Sequence, residues 1–127
     1  MRTVGARLVS IEPGRVVIEW PFRSDLTQQH GFLHAGVLAA VADSACGYAA
    51  LTLMPQQVAV LAVEFKINLL KPAAGERFRA VAKVARAGRT LSVCTAEVHA
   101  FTGDKEATIA IMQGTMMAVR DSAGLID

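Results

Sequence analysis

Along most of this chain apolar and polar residues take turns, and one long stretch breaks the rhythm. In Val63-Glu-Phe-Lys-Ile-Asn-Leu69 every second position is apolar, with Glu64, Lys66 and Asn68 between. That period of two predicts a half-buried strand. Phe78, Ala80, Ala82 and Val84 repeat it on one side, with Arg77, Arg79 and Lys83 on the other. Residues 3–11 and 15–20 read as two earlier strands joined by the turn Glu12-Pro13-Gly14. Residues 90–101 and 106–119 complete the set, after turns at Ala87-Gly88-Arg89 and Thr102-Gly103-Asp104-Lys105. The run from Lys71 to Gly75 is a further turn, residues 21–29 are a polar connection, and residues 121–127 read as loose. The exception to the alternation is residues 34–53, which are apolar nearly throughout and stop before Pro55. This predicts a helix roughly 30 Å long at ~1.5 Å per residue.

The predicted order is β-β-α-β-β-β-β. A helix that is apolar almost all round has to be covered on every side. A curved antiparallel sheet wrapped around it meets that need, an α+β arrangement in one domain over residues 1–127. A single copy would leave a sheet edge and one flank of the helix in water, so at least a homodimer is expected.

Composition narrows the class. The chain is 53% hydrophobic and 19% charged, as in a folded globular domain. A net charge of +2 gives no reason to expect nucleic acid. The first residues contain no apolar signal core, so no export is expected. Cys46 and Cys94 lie in apolar surroundings without metal-ligand spacing. They read as reduced, buried small hydrophobes, which suits a cytoplasmic protein. Residues 35–54 have the length of a membrane span, but their Ala and Gly content, Asp43, Tyr48 and unbasic flanks point to a buried core helix and no membrane.

Asp43 is the only formal charge between Asp25 and Glu64. A carboxylate in an apolar helix costs several kcal/mol, on the order of 3, when desolvated without partners. Its spacing suggests a reason. His34 lies nine positions earlier and Gln28 six before that, so an acid, an imidazole and an amide gather around a helix start. Taken alone, Asp43 reads as a structural acid bonded to Ser or backbone, and His34 as a cap or packing residue. The joint spacing favours a site. His30 and His99 receive no role, and Met112, Met116 and Met117 read as core or interface filler.

The segment Gly31-Phe-Leu-His34-Ala-Gly36-Val-Leu-Ala-Ala-Val-Ala-Asp43-Ser-Ala resembles the G-x-x-H-G-G…D-x-A signature of hotdog-fold acyl-CoA thioesterases, of the phenylacetate-degradation and 4-hydroxybenzoyl-CoA types. Asn68-Leu-Leu-Lys71-Pro72-Ala-Ala-Gly75 and Ala87-Gly88-Arg89 are similar to two later motifs of that family. The resemblance spans about residues 5–120. It implies a hotdog fold, a homodimer or a homotetramer built as a dimer of dimers, an acyl-CoA substrate, and no cofactor or metal. It implies that Asp43 acts as nucleophile or as general base for water. Gln28 would orient water or the thioester, and His34 would bond the thioester oxygen or support the loop. The backbone N–H of Ala35 would polarise the carbonyl. Ala35 stands where the family commonly has Gly, and Ala62 stands where it often has a hydroxyl. Gly36 and Ser44 are expected to lie against the substrate, with Lys71, Arg86 and Arg89 at turns that meet the phosphates of CoA. The family's site lies across the dimer interface, with the acid of one subunit facing the Gln and His loop of the other.

Three functions compete. The first is hydrolysis of an acyl-CoA, or acyl-carrier, thioester, with an apolar or aryl group entering where Ala39, Ala40, Ala42 and Ala45 leave room beside the helix. The second is a hotdog domain that binds or senses acyl-CoA without turnover, favoured by Ala35 and Ala62. The third, a dehydratase or hydratase, lacks the His-x-Phe-x-x-x-Pro and Asp-x-Asn-x-x-His runs of those enzymes.

Overall fold

The turn at Pro13-Gly14 and the glycines at Gly88 and Gly103 punctuate a chain that otherwise alternates into sheet around one helix. The computed structural model describes residues 1–120; the tail at 121–127 lies outside the described residues. Strand β1 (Arg7–Glu12) and β2 (Arg15–Pro21) form the first hairpin, and helix α1 (Ala35–Leu51) follows. Strands β3 (Ala59–Leu69), β4 (Arg77–Ala87), β5 (Leu91–Thr102) and β6 (Lys105–Val119) complete the element order. All pairings are antiparallel, in one sheet of order β1-β2-β4-β5-β6-β3. The helix thus separates β2 from β3 and sends β3 to the far edge.

Two boundaries differ from the pattern by four residues, and the others by two at most. The predicted first strand begins late, because Arg2–Val4 form a 3-10 turn closed by a bond from the Gly5 N–H to the Arg2 carbonyl. Strand β3 begins early, at Ala59, because Ala59-Val-Leu-Ala62 is apolar throughout and gives no polar residue to mark the period. The helix ends at Leu51, where Thr52 donates to the Ala49 carbonyl and accepts from the Gly14 N–H (2.7 Å each). That pair ties the helix end to the β1–β2 turn.

The sheet's inner face packs on α1, which touches β2 through β6. Trp20 and Phe78 are fully buried there and stacked with ring centroids 5.6 Å apart. Leu38, Val41, Ala42, Ala45, Cys46, Ala49 and Ala50 form the helix's core face. Phe78 and Leu38 contribute roughly 2 kcal/mol each by leaving water. Four of the seven helix residues are alanines, so the sheet can approach the helix backbone closely. The alternation predicted for β4 holds, with Phe78, Ala80 and Ala82 inward and Arg77, Arg79 and Lys83 outward. Gly88 is required in the β4–β5 turn, since a Cβ there would run into the Leu91 carbonyl oxygen.

On the outer face, Glu19 is almost fully buried among arginines. Arg79 reaches it at 2.6 and 2.8 Å, Arg7 at 2.8 Å and Arg77 at 3.8 Å. Arg77 also lies 4.0 Å from the centre of the Phe101 ring. At the sheet edge, β3 exposes Leu61, Val63, Phe65 and Leu69. The half-buried strand expected at residues 63–69 is instead exposed on both faces apart from the partly buried Ile67, because β3 lies at the edge of the sheet with one side unpaired.

Candidate active site

The segment before α1 is a tight loop held by backbone bonds. Gln28 N–H donates to the Phe32 carbonyl (2.8 Å), Gly31 N–H to the Gln28 carbonyl (3.0 Å), and Leu33 N–H to the Ala73 carbonyl (3.1 Å). The Gln28 side-chain oxygen accepts from the His30 N–H. His34 then caps the helix, its Nδ1 accepting from the Gly36 N–H at 2.8 Å. An accepting Nδ1 carries no proton, so the neutral ring holds its proton at Nε2 and can donate it outward. Gly36 suits the cap because a Cβ there would stand only 3.0 Å from Nδ1.

The Val37 N–H bonds to the His34 carbonyl at 2.9 Å. With Gly36 and Val37 engaged, the Ala35 N–H is a first-turn donor to which the described residues offer no acceptor. It carries the partial positive charge of a helix N-terminus. Ala35 stands at the start of the helix without a positive φ, so the methyl group that departs from the family's glycine costs no backbone strain. Ala35, Gln28 and Lys71 line a hollow of about 420 Å3, with Phe32, Leu38 and Leu70 among its walls.

Asp43 lies elsewhere. It is eight residues beyond Ala35, about 12 Å along the helix. It lines a second hollow of about 190 Å3 with Ser44, Gly47, Tyr48, Val60, Ala62 and Met116. Its Oδ1 is buried and accepts no hydrogen bond from the described residues. Burial pushes its carboxyl above the usual aspartate range. The hydroxyl of Ser44 donates to the Ala40 carbonyl at 2.9 Å, so it is committed to its own helix. A structural acid bonded to a neighbouring serine, the simplest account of Asp43 alone, is therefore not what the fold contains.

Within one protomer the predicted residues thus divide. Gln28, Ala35 and Lys71 share one hollow, Asp43 and Ser44 the other, and His34 with Gly36 form the cap. Arg86 and Arg89 line neither hollow and stand exposed on the β4–β5 hairpin. Strand β3 joins the halves, with Ala62 in the hollow of Asp43 and Leu69 in that of Gln28. Ala62, expected beside the acid, does line its hollow. The room expected at Ala42 and Ala45 is absent, because both are fully buried against the sheet. Open space lies instead over Gly47, one turn past Asp43 on the same helix face. The i, i+4 spacing was the available signal for it. Cys46 and Cys94 are buried free thiols, pushed up by burial to about 12 and about 11. Among the described residues no helix is long and apolar enough to cross a membrane.

Comparison with known proteins agrees with this architecture. Residues 30–107 match the family model described as the thioesterase superfamily. A crystal structure of a thioesterase family protein from Silicibacter pomeroyi superposes with a TM-score of 0.93 at 54% identity, covering 94% of this chain and 88% of that one. A Saccharolobus solfataricus protein, provisionally named an esterase, is 35% identical over 72% of this chain, and the match spans 64% of that protein's length. The acyl-coenzyme A thioesterase PaaI of Escherichia coli is 26% identical over 89% of this chain and 77% of its own. The chain belongs to the thioesterase superfamily and has its hotdog fold, which places it among hydrolases.

Proposed function

We propose that this protein hydrolyses acyl-CoA thioesters at a site completed by a second copy of the chain. The observation that carries the reading is the division of the site along an exposed edge strand. Ala62 marks one hollow on β3 and Leu69 the other. Antiparallel pairing of two β3 edges about a twofold axis between Phe65 and Lys66 sets Ala62 of one protomer opposite Leu69 of its partner. Each Asp43 then comes toward the Gln28–Ala35 hollow of the other copy, and Leu61, Val63 and Phe65 leave water.

In the assembled site, the Ala35 N–H donates to the thioester carbonyl oxygen and stabilises the negative charge that grows there. Asp43 of the other protomer either attacks the carbonyl carbon or takes a proton from an attacking water. Its raised proton affinity strengthens it as a base. After attack by water the tetrahedral centre collapses, the carbon–sulfur bond breaks, and the thiolate takes up a proton, giving a free acid and CoA. After attack by Asp43 the same collapse releases CoA and leaves an acyl–aspartyl anhydride, which a water then hydrolyses to the free acid and the carboxylate. Gln28 and the His34 Nε2–H position water and the carbonyl. Lys71 lies in the Ala35 hollow and, with Arg86 and Arg89 as exposed cations, offers charge for the CoA phosphates. We place the protein in the cytoplasm, where free Cys46 and Cys94 persist.

The name and identity of the PaaI relative support acyl-CoA as the substrate class. The missing hydroxyl at Ala62 and the committed one at Ser44 favour the second reading, an acyl-CoA sensor. Thiol release from a panel of acyl-CoAs, with Asp43→Ala in parallel, separates them. Hydrolysis predicts turnover by the parent and a loss of at least about a hundredfold in the variant, ~2.7 kcal/mol of transition-state stabilisation. Binding of acyl-CoA without turnover by the parent establishes the sensor.

A further inference from the structure

Gly47 sits in the interior of α1, one turn after Asp43. Glycine is a poor helix former because it loses the most backbone freedom on folding. It is kept inside helices where the backbone turns left-handed or another group comes too close for a side chain. Neither reason holds at Gly47. Its φ is ordinary, and a Cβ there would meet only Val60 Cγ1, at 3.9 Å, an ordinary contact. Gly36, by contrast, would press on His34 Nδ1 at 3.0 Å. Nothing packed against α1 in this protomer demands the glycine at 47.

What the absent side chain leaves is space. Gly47 lines the hollow that holds Asp43, with Ala62 opening it further and Tyr48, Val60 and Met116 as walls. Residues four apart on a helix have Cβ positions about 5–6 Å from each other. A carbonyl carbon within reach of the Asp43 carboxylate therefore places the next one or two carbons of the acyl group over Gly47.

We infer that Gly47 is a specificity-determining residue, keeping room beside Asp43 for acyl groups that are branched or cyclic next to the thioester carbonyl. The inference rests on the thioesterase reading of Asp43. The cost of the glycine falls on the helix, and the return is breadth of substrate.

The test measures kcat/KM of the parent, Gly47→Ala and Gly47→Val on butanoyl-CoA as the straight chain and on isobutanoyl- and cyclohexanecarbonyl-CoA as the branched and cyclic ones. Gly47→Val is expected to lower the ratio of cyclic to straight-chain kcat/KM at least thirtyfold. Gly47→Ala is expected to move it the same way by a smaller factor while raising Tm. An unchanged ratio overturns the inference. So does an equal loss on all three substrates, and if light scattering then also reports a changed oligomeric mass, the glycine serves packing between copies. A parent that turns over none of them refutes the thioesterase reading itself. In that case the same ratio is taken from dissociation constants by calorimetry: selective weakening of the cyclic ligand in Gly47→Val supports the role of Gly47, and uniform or absent weakening refutes it.

Discussion

Two carboxylates in this protein are drawn out of water, and their surroundings are opposite. Glu19 lies on the outer face of the sheet, where Arg79, Arg7 and Arg77 surround it. Burial alone would raise its proton affinity, but the Arg79 hydrogen bonds and the charges of Arg79, Arg7 and Arg77 outweigh it and hold the carboxyl below the usual glutamate range. Asp43 has burial without compensation: its Oδ1 has no donor among the described residues, and its proton affinity is raised. The first arrangement stabilises the fold. The second strains it and leaves a carboxylate with unused capacity to accept a proton, the condition expected of an acid or base at a functional site.

The comparison breaks most sharply on substitution. Asp43→Asn keeps the shape and removes the carboxylate that the proposed hydrolysis needs as nucleophile or base, so kcat/KM should fall at least about a hundredfold, roughly 2.7 kcal/mol. Its Tm should hold or rise, because an uncompensated buried charge is gone. A clear drop in Tm would mean that Asp43 is paired in the folded protein after all. Glu19→Ala should do the reverse. Three guanidinium groups lose their counter-charge, and urea unfolding should record a loss of roughly 3 kcal/mol. Activity per folded molecule should change little, since Glu19 lines neither hollow.

Acid titration sharpens the same contrast. Glu19 has its folded-state value lowered from about 4.5, so its contribution is present above that pH and is lost as pH falls through the lower, folded value. Asp43 has its folded-state value raised from about 3.8. The stability it adds is present below about 3.8 and is lost as pH rises through the higher, folded value. The unfolding free energy of the parent minus that of Glu19→Gln should therefore shrink as pH falls below about 4.5. Parent minus Asp43→Asn should shrink in the other direction, as pH climbs above about 4. The two difference curves sloping alike would refute the contrast.

How much of this was legible in the chain depends on what a local pattern can encode. The strands buried on one face are plain in the alternation, as Phe78, Ala80 and Ala82 against Arg77, Arg79 and Lys83 illustrate. The start of β3 is hidden, because Ala59–Ala62 carries no polar residue to set the period. The spacing of Gln28, His34 and Asp43 measures distance along the chain but not distance in space. The family resemblance implied that the acid and the Gln28 loop of one chain stand apart, and the fold shows them in different hollows of one protomer. Small helix residues look alike in sequence, yet Ala42 and Ala45 face the sheet while Gly47 faces open space. Glu19 and its arginines are invisible as a cluster, since β1, β2 and β4 bring together residues up to 72 positions apart, from Arg7 to Arg79.

The smallest effect tests which arginine holds Glu19. Arg7 and Arg79 both stand beside it in register, on β1 and β4. The Arg7 side chain is 74% exposed and makes one contact with Glu19, whereas that of Arg79 is 36% exposed and makes two. An exposed single-contact pair is screened by water and must also immobilise a long side chain, so Arg7→Ala should cost at most about 0.5 kcal/mol and fade in high salt. Arg79→Ala removes the bonds that offset the burial of Glu19, and should cost roughly 2 kcal/mol with little dependence on salt. Urea unfolding of both variants at low and high salt measures the difference. Equal costs would mean that the carboxylate is held by the summed field of its neighbours rather than by the two bonds from Arg79.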